Sequence, residues 1–216
     1  SLGQVMAVKV FDISKLSSKL VDEKLDSFIA ESKVLSKLNN KNTVKFFGVH
    51  KDNQTFKIFL ELVIGGSLSK IISTYGRLPE KLVKKYTLEI LYGLEYLHMH
   101  NVIHRDIKGA NILVDRDGTC KLSDFGSAKE IIEEFEFSEQ NSLKGTPNWM
   151  APECVKNMEY SRFSDIWSLG CTIIEMLTGK PPFHQFKTQM AALYNIMNVR
   201  EPPTLPENIK VSEECK

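Results

Sequence analysis

The sequence has 216 residues, with 28 lysines and arginines against 27 aspartates and glutamates, so the formal net charge is +1. That balance offers no basic face for nucleic acid or an acidic membrane surface, and no apolar run approaches the ~18 residues of a membrane span. Apolar content of 42% is ordinary for a globular chain of one domain or two lobes, and no signal peptide opens it. The four cysteines (Cys120, Cys154, Cys171, Cys215) form no C-x-x-C pair, which points to reduced thiols in a cytoplasmic setting.

Val5–Val10 (VMAVKV) reads as a buried strand with one lysine, Lys9, or taken alone as an edge strand with a surface lysine. A helix is expected over residues 22–38, with Leu25, Phe28, Ile29, Leu35 and Leu38 as its apolar stripe. Glu31 lies off that stripe; by charge alone Glu23 and Glu31 are both candidates for an acidic partner of Lys9, and the plain alternative is a solvated helix face. Val44–Val49 and Phe56–Val63 carry the aromatic and β-branched residues of strands. Ile64-Gly65-Gly66-Ser67 breaks the pattern and separates a first unit, 1–66, from a second, 67–216. Ser67 suits the N-cap of a short helix. Pro79 opens a long helix whose Leu82, Val83, Tyr86, Ile90, Leu94 and Leu97 form a core stripe.

The stretch from Val102 to Gly126, VIHRDIKGANILVDRDGTCKLSDFG, gathers the chemistry. Two short strands flank the turn DRDG, whose Asp117-Gly118 step is a hairpin signal. Asn111 lies about as far before that turn as Asp124 lies after it. An antiparallel hairpin would bring both to its open end, where an amide oxygen and a carboxylate suit Mg²⁺. Asp106 could accept the proton of an attacking hydroxyl, and Lys108 could face the charge on a transferred phosphoryl group. His104 reads as a core histidine bonded to backbone, and Asp115 and Asp117 read as turn residues.

Residues 127–150 have no clean period, and a loop of that length is functional or disordered. A helix over Ser164–Leu177, capped by Ser164 and stopped by Gly179 before Pro181-Pro182, is apolar nearly all round. It is therefore expected to be a buried axis. Asp165 stands near its N-terminus, where the helix dipole favours an acid.

The series AVK, HRDIKGAN, DFG and APE, in that order, resembles the signature set of protein kinases. Lys108, two residues after Asp106, with GTPNWMAPE downstream, resembles the serine/threonine type. MAVKV, GGSL, HRDIKGANILVD, LSDFGSAK and GTPNWMAPE together resemble the mitogen-activated protein kinase kinase kinase family. The kinases one tier above share part of that set. The resemblance implies an α+β, two-lobed fold with a small β-rich N-lobe and a larger, mostly helical C-lobe. It implies ATP and Mg²⁺ as cofactors, and a protein substrate, a kinase kinase, phosphorylated on Ser or Thr.

By the same resemblance Ala7 lines the adenine pocket, Lys9 grips the phosphates and Glu31 pairs with Lys9. Leu60 guards the rear of the pocket, Glu61 to Val63 form the hinge, and Leu113 is a further ATP-binding residue. Asp106, Lys108 and Asn111 are catalytic, and Asn111 and Asp124 hold the metal. Asp165 anchors the catalytic loop. Arg105 marks control by phosphorylation of the following loop, by an upstream kinase or by the enzyme itself. Ser138 and Ser142 are the candidate sites, with Glu133, Glu134, Glu136 or Glu139 as alternative phosphate mimics, while Thr146 faces substrate and base. The family's Gly-rich loop and the arginine paired with Glu153 are not in the sequence. The expectation is a fragment truncated at both ends, with Val5–Val10 an unprotected edge strand. The rival readings are a catalytically impaired kinase-like scaffold and a small-molecule phosphotransferase.

Overall fold

The computed structural model describes residues 3, 5–14, 17–130 and 144–213. Its first part is a three-stranded antiparallel sheet of β1 (Met6–Asp12), β2 (Phe46–Lys51) and β3 (Thr55–Glu61), in the order β1-β3-β2. Period-two alternation turns Ala7, Lys9 and Phe11 inward and leaves Val8 and Val10 exposed. β1 is thus an edge strand, as expected.

Helix α1 (Ser18–Lys37) covers the sheet, starting earlier than the apolar stripe suggested. Phe28 fixes it, with ring centroids 6.1 Å from Phe11 and 5.1 Å from Phe56. One expectation for this helix is corrected, the place of Ile29 on the buried stripe. Ile29 is 51% exposed, whereas Glu31 is only 3% exposed. Glu31 lies three residues after Phe28, at the spacing that returns a helical side chain to the same face.

The second part is mostly helical, so the α+β class and the division of strands and helices agree with expectation. Helix α2 (Leu68–Tyr75) is capped by Ser67, whose Oγ accepts the N–H of Lys70. Helix α3 (Glu80–Met99) starts after Pro79 and buries Val83, Tyr86, Ile90, Leu94 and Leu97. A short strand β4 (Val102–Ile103) pairs with β7 (Lys129–Glu130), and β5 (Ile112–Val114) pairs with β6 (Cys120–Leu122). The β5–β6 turn forms where expected, with the Gly118 N–H on Asp115 O and Gly118 at φ 77°.

Helix α4 (Pro152–Asn157) precedes α5 (Arg162–Thr178), and α6 (Gln189–Met197) follows. The start of α5 differs from expectation. Ser161 is the N-cap, and Ser164 sits three residues inside as the other half of a reciprocal capping box. Burial differs too: Phe163 is 80% exposed, while Asp165, Ser168, Thr172 and Glu175 are buried. The helix can bury these groups because loops and α2 supply partners to Asp165, Ser168 and Glu175, while the Thr172 hydroxyl donates to Ser168 O within the helix. Gly179 ends it at φ 85°.

Candidate active site

The catalytic-loop candidates are held by α5. Both oxygens of the fully buried Asp165 accept backbone N–H groups, Oδ2 from His104 at 3.0 Å and Oδ1 from Arg105 at 2.9 Å. Oδ2 also lies 2.9 Å from His98 Nε2. This anchorage holds Arg105 at φ 65°, a left-handed conformation unusual for a residue with a side chain. His104 is a core histidine, as expected. Its Nε2 faces Ser123 O at 3.0 Å and its Nδ1 accepts the Asp106 N–H at 3.3 Å. A carbonyl can only accept and an amide N–H only donate, so the ring proton belongs on Nε2.

Around Asp106 the polar groups converge. Lys108 Nζ is 2.8 Å from Oδ2, and the Thr146 hydroxyl donates to Oδ1 at 2.8 Å. Lys108 also donates to Thr146 Oγ1. Asn111, buried in the 3-10 turn Gly109–Asn111, gives its NH₂ to Asp106 O and Oδ2, both at 2.8 Å. With the amide nitrogen so engaged, its carbonyl oxygen is the atom left to meet a cation.

Asp124 stands two residues beyond Leu122, the register partner of Ile112, and directly after Ser123, whose N–H donates to Asn111 O, so the hairpin carries Asn111 and Asp124 to the same end. Its φ of 59° again lies in the left-handed region. Lys9 Nζ bridges Glu31 (2.8 and 3.0 Å) and Asp124 Oδ1 (2.7 Å), gathering β1, α1 and the hairpin on one ammonium group. Burial would lower the Lys9 pKa, but its hydrogen bonds with Asp124 and Glu31 hold it above the usual value. Burial raises Glu31 despite the Lys9 contact, whereas in Asp124 the Lys9 bond and charge outweigh burial and keep the carboxyl low. Hard oxygens from Asn111 and Asp124 make a donor set that fits Mg²⁺.

The remaining candidates line the seam between sheet and hairpin. Ala7 pairs with Leu60 in the β1–β3 register, and Val63 is buried just after β3. Leu113 lies in the bridge to Ser67, and the Val114 N–H donates to Gly66 O at 2.9 Å. The Glu61 N–H is engaged by Lys45 O at 2.9 Å, and its carboxylate takes the Lys45 N–H and meets Lys121. Ser138, Ser142 and the four loop glutamates lie outside the described residues.

The sequence reading missed two groups. Glu175 accepts from Ser69 Oγ (2.8 Å), the Gly109 N–H (3.2 Å) and Trp149 Nε1 (3.1 Å), tying α2 and the catalytic loop to the turn after Thr146. An acid inside the apolar run TIIEML was the available signal. Tyr160 holds Lys144 through its hydroxyl, and its ring lies under the Arg105 guanidinium. Nothing in MEYSRF announces that.

Comparisons with known proteins agree on the family. The protein kinase domain matches residues 1–216. Mitogen-activated protein kinase kinase kinase 2 of Arabidopsis thaliana is 45% identical over 212 residues, 96% of this chain and 32% of that protein. Mitogen-activated protein kinase kinase kinase 3 of the same plant is 40% identical over 216 residues, 99% of this chain and 33% of that protein. Mitogen-activated protein kinase kinase kinase A of Dictyostelium discoideum is 41% identical over 214 residues, 96% of this chain and 22% of that protein. The chain therefore spans a third or less of the length of these relatives. Among the described residues no helix is long and apolar enough to cross a membrane.

Proposed function

The chain belongs to the protein kinase domain family, and from that premise we propose that it transfers the γ-phosphate of ATP to a serine or threonine hydroxyl of a protein. The observation that carries this reading is the Thr146 hydroxyl, which already sits on the Asp106 carboxylate as an acceptor hydroxyl would. In the reaction Asp106 takes the proton of the acceptor hydroxyl while its oxygen bonds to the γ-phosphorus and the bond to ADP breaks. Lys108 faces the oxygens of the moving phosphoryl group and offsets their charge. Asn111 orients Asp106 through its NH₂.

Lys9, steered by Glu31, holds the ATP phosphates, and Ala7, Leu60, Glu61, Val63 and Leu113 hold the base and ribose side. Mg²⁺, which Asn111 and Asp124 would hold, supplies neutralisation of phosphate charge when bound. Residues 1–66 and 67–216 act as the two lobes around this cleft. The relatives' names point to the kinase kinase kinase tier of a mitogen-activated cascade, with a kinase kinase as substrate. We place the protein in the cytoplasm, with Arg105 reading phosphorylation at Ser138 or Ser142 by an upstream kinase or by the chain itself.

The test is Mg-ATP-dependent transfer of labelled phosphate to a generic protein substrate, with Asp106→Asn as control. The chain is assayed as it stands and extended at both ends, with and without an activating kinase. Transfer abolished by Asp106→Asn supports the reading. Two folded forms that transfer nothing would replace it with a scaffold.

A further inference from the structure

Tyr160 belongs to the stretch between α4 and α5, outside every motif of the sequence reading. Its hydroxyl accepts the N–H of Lys144 at 2.6 Å and donates to the C=O of Lys144 at 2.7 Å. One phenol thus satisfies both polar groups of one residue, as a neighbouring strand would. The pairing needs a neutral phenol that can donate, and burial keeps the Tyr160 hydroxyl protonated by raising its pKa.

Lys144 is followed by Gly145 and Thr146. Gly145 has φ 107°, and a Cβ there would lie 2.9 Å from Arg105 O, so this stretch runs directly against the catalytic-loop backbone. The next side chain is the Thr146 hydroxyl on Asp106. On the other side, the Tyr160 ring centroid is 5.4 Å from the Arg105 guanidinium carbon, within cation–π range. Arg105 Nε donates in turn to Ser127 O, just past Asp-Phe-Gly. Among the described residues Arg105 has no salt-bridging carboxylate, and the Tyr160 ring and Ser127 O are the groups that hold its guanidinium.

We propose that Tyr160 is a positioning residue for the acceptor side of the site. Its hydroxyl sets where Lys144-Gly145-Thr146 lies over Asp106, and its ring steadies the arginine that precedes Asp106. It touches neither Lys9, Glu31 nor Asp124, so it governs the acceptor protein and not ATP. The proposal rests on the phosphoryl-transfer reading above and names the residue that registers the acceptor half of that site.

The test compares the wild-type chain with Tyr160→Phe, which removes only the hydroxyl, and Tyr160→Leu, which removes the ring as well. The first readout is amide hydrogen exchange at Lys144, which needs no activity. Loss of the hydrogen bond to the Lys144 N–H should speed that exchange by roughly fivefold to tenfold in Tyr160→Phe. The second is the KM for an acceptor peptide against the KM for ATP. Tyr160→Phe should raise the acceptor KM by about fivefold and leave the ATP KM within about twofold. Tyr160→Leu should also lower kcat.

Unchanged Lys144 exchange in Tyr160→Phe would overturn the proposal, as would acceptor and ATP KM values that rise together. If Tyr160→Leu does not fold, Tyr160→Phe decides alone. A wild-type chain that transfers no phosphate would sink the phosphoryl-transfer reading, while Lys144 exchange would still decide the clamp.

Discussion

Lys9 and Glu31, 22 residues apart, meet at 2.8 Å with the Glu31 side chain 2% exposed and that of Lys9 32% exposed. Glu31 is thus a carboxylate inside the molecule whose cation reaches it from the neighbouring strand. Removing the lysine leaves an uncompensated charge in a poorly solvated place. Lys9→Met should destabilise the fold by about 1–3 kcal/mol, below the full buried-pair cost because Lys9 keeps some solvent. Adding Glu31→Gln should restore part of that loss, although transfer activity stays absent. Urea unfolding of the two single variants and the double variant measures this. A double variant no more stable than Lys9→Met would show that Glu31 carries no buried-charge penalty.

Asp165 presents both oxygens to consecutive backbone N–H groups of the catalytic loop. Asparagine cannot accept through its nitrogen, so Asp165→Asn must orphan one of those donors or turn away from His98. The expected cost is about 1–3 kcal/mol in stability. A fall in kcat of tenfold or more should accompany it, with ATP binding nearly unchanged. Thermal unfolding, steady-state kinetics and nucleotide titration read the three quantities. An equal loss of ATP affinity would mean that Asp165 supports the whole cleft and not this loop.

The linker glycines differ in why they are glycine. A Cβ on Gly65 would lie 2.2 Å from Val114 O, a backbone atom that cannot swing aside. A Cβ on Gly66 would meet nothing within 4 Å, but its φ is +81°. Gly66→Ala should therefore cost about 1 kcal/mol from the left-handed conformation alone. Gly65→Ala should cost more, about 2–4 kcal/mol, because linker and hairpin must part. Chemical denaturation of both variants ranks them, and the reverse order would contradict the close approach of linker and β5.

Burial raises the Glu175 pKa above its ordinary value, against the hydrogen bonds from Ser69, Gly109 and Trp149. An acid whose pKa is raised on folding binds its proton more tightly in the native state. Its contribution to stability therefore falls as pH rises through the interval above the ordinary glutamate value. Carboxyls held low, Asp124 and Asp117 among them, run the opposite way and lose their contribution as pH falls. The difference between wild type and Glu175→Gln cancels the latter. Wild type should be favoured more over Glu175→Gln near pH 4.5 than at pH 7 in paired urea titrations. A difference that does not change with pH would mean that the Glu175 pKa is the same in the folded and unfolded chain.

The sequence alone determined the element types, the hairpin and the family. Period-two and helical patterns, the Asp117-Gly118 turn, the Gly179 stop and the order of AVK, HRD, DFG and APE are local features that need no partner to be read. Tertiary structure decided which groups meet. The inward turn of Glu31 and the burial of Asp165 and Glu175 depend on groups brought from distant parts of the chain. Lys9 reaches Asp124 across 115 positions, and Tyr160 reaches Arg105 and Lys144 across two loops. A hydrogen bond depends on angstrom distances in space, and no spacing along the chain records them.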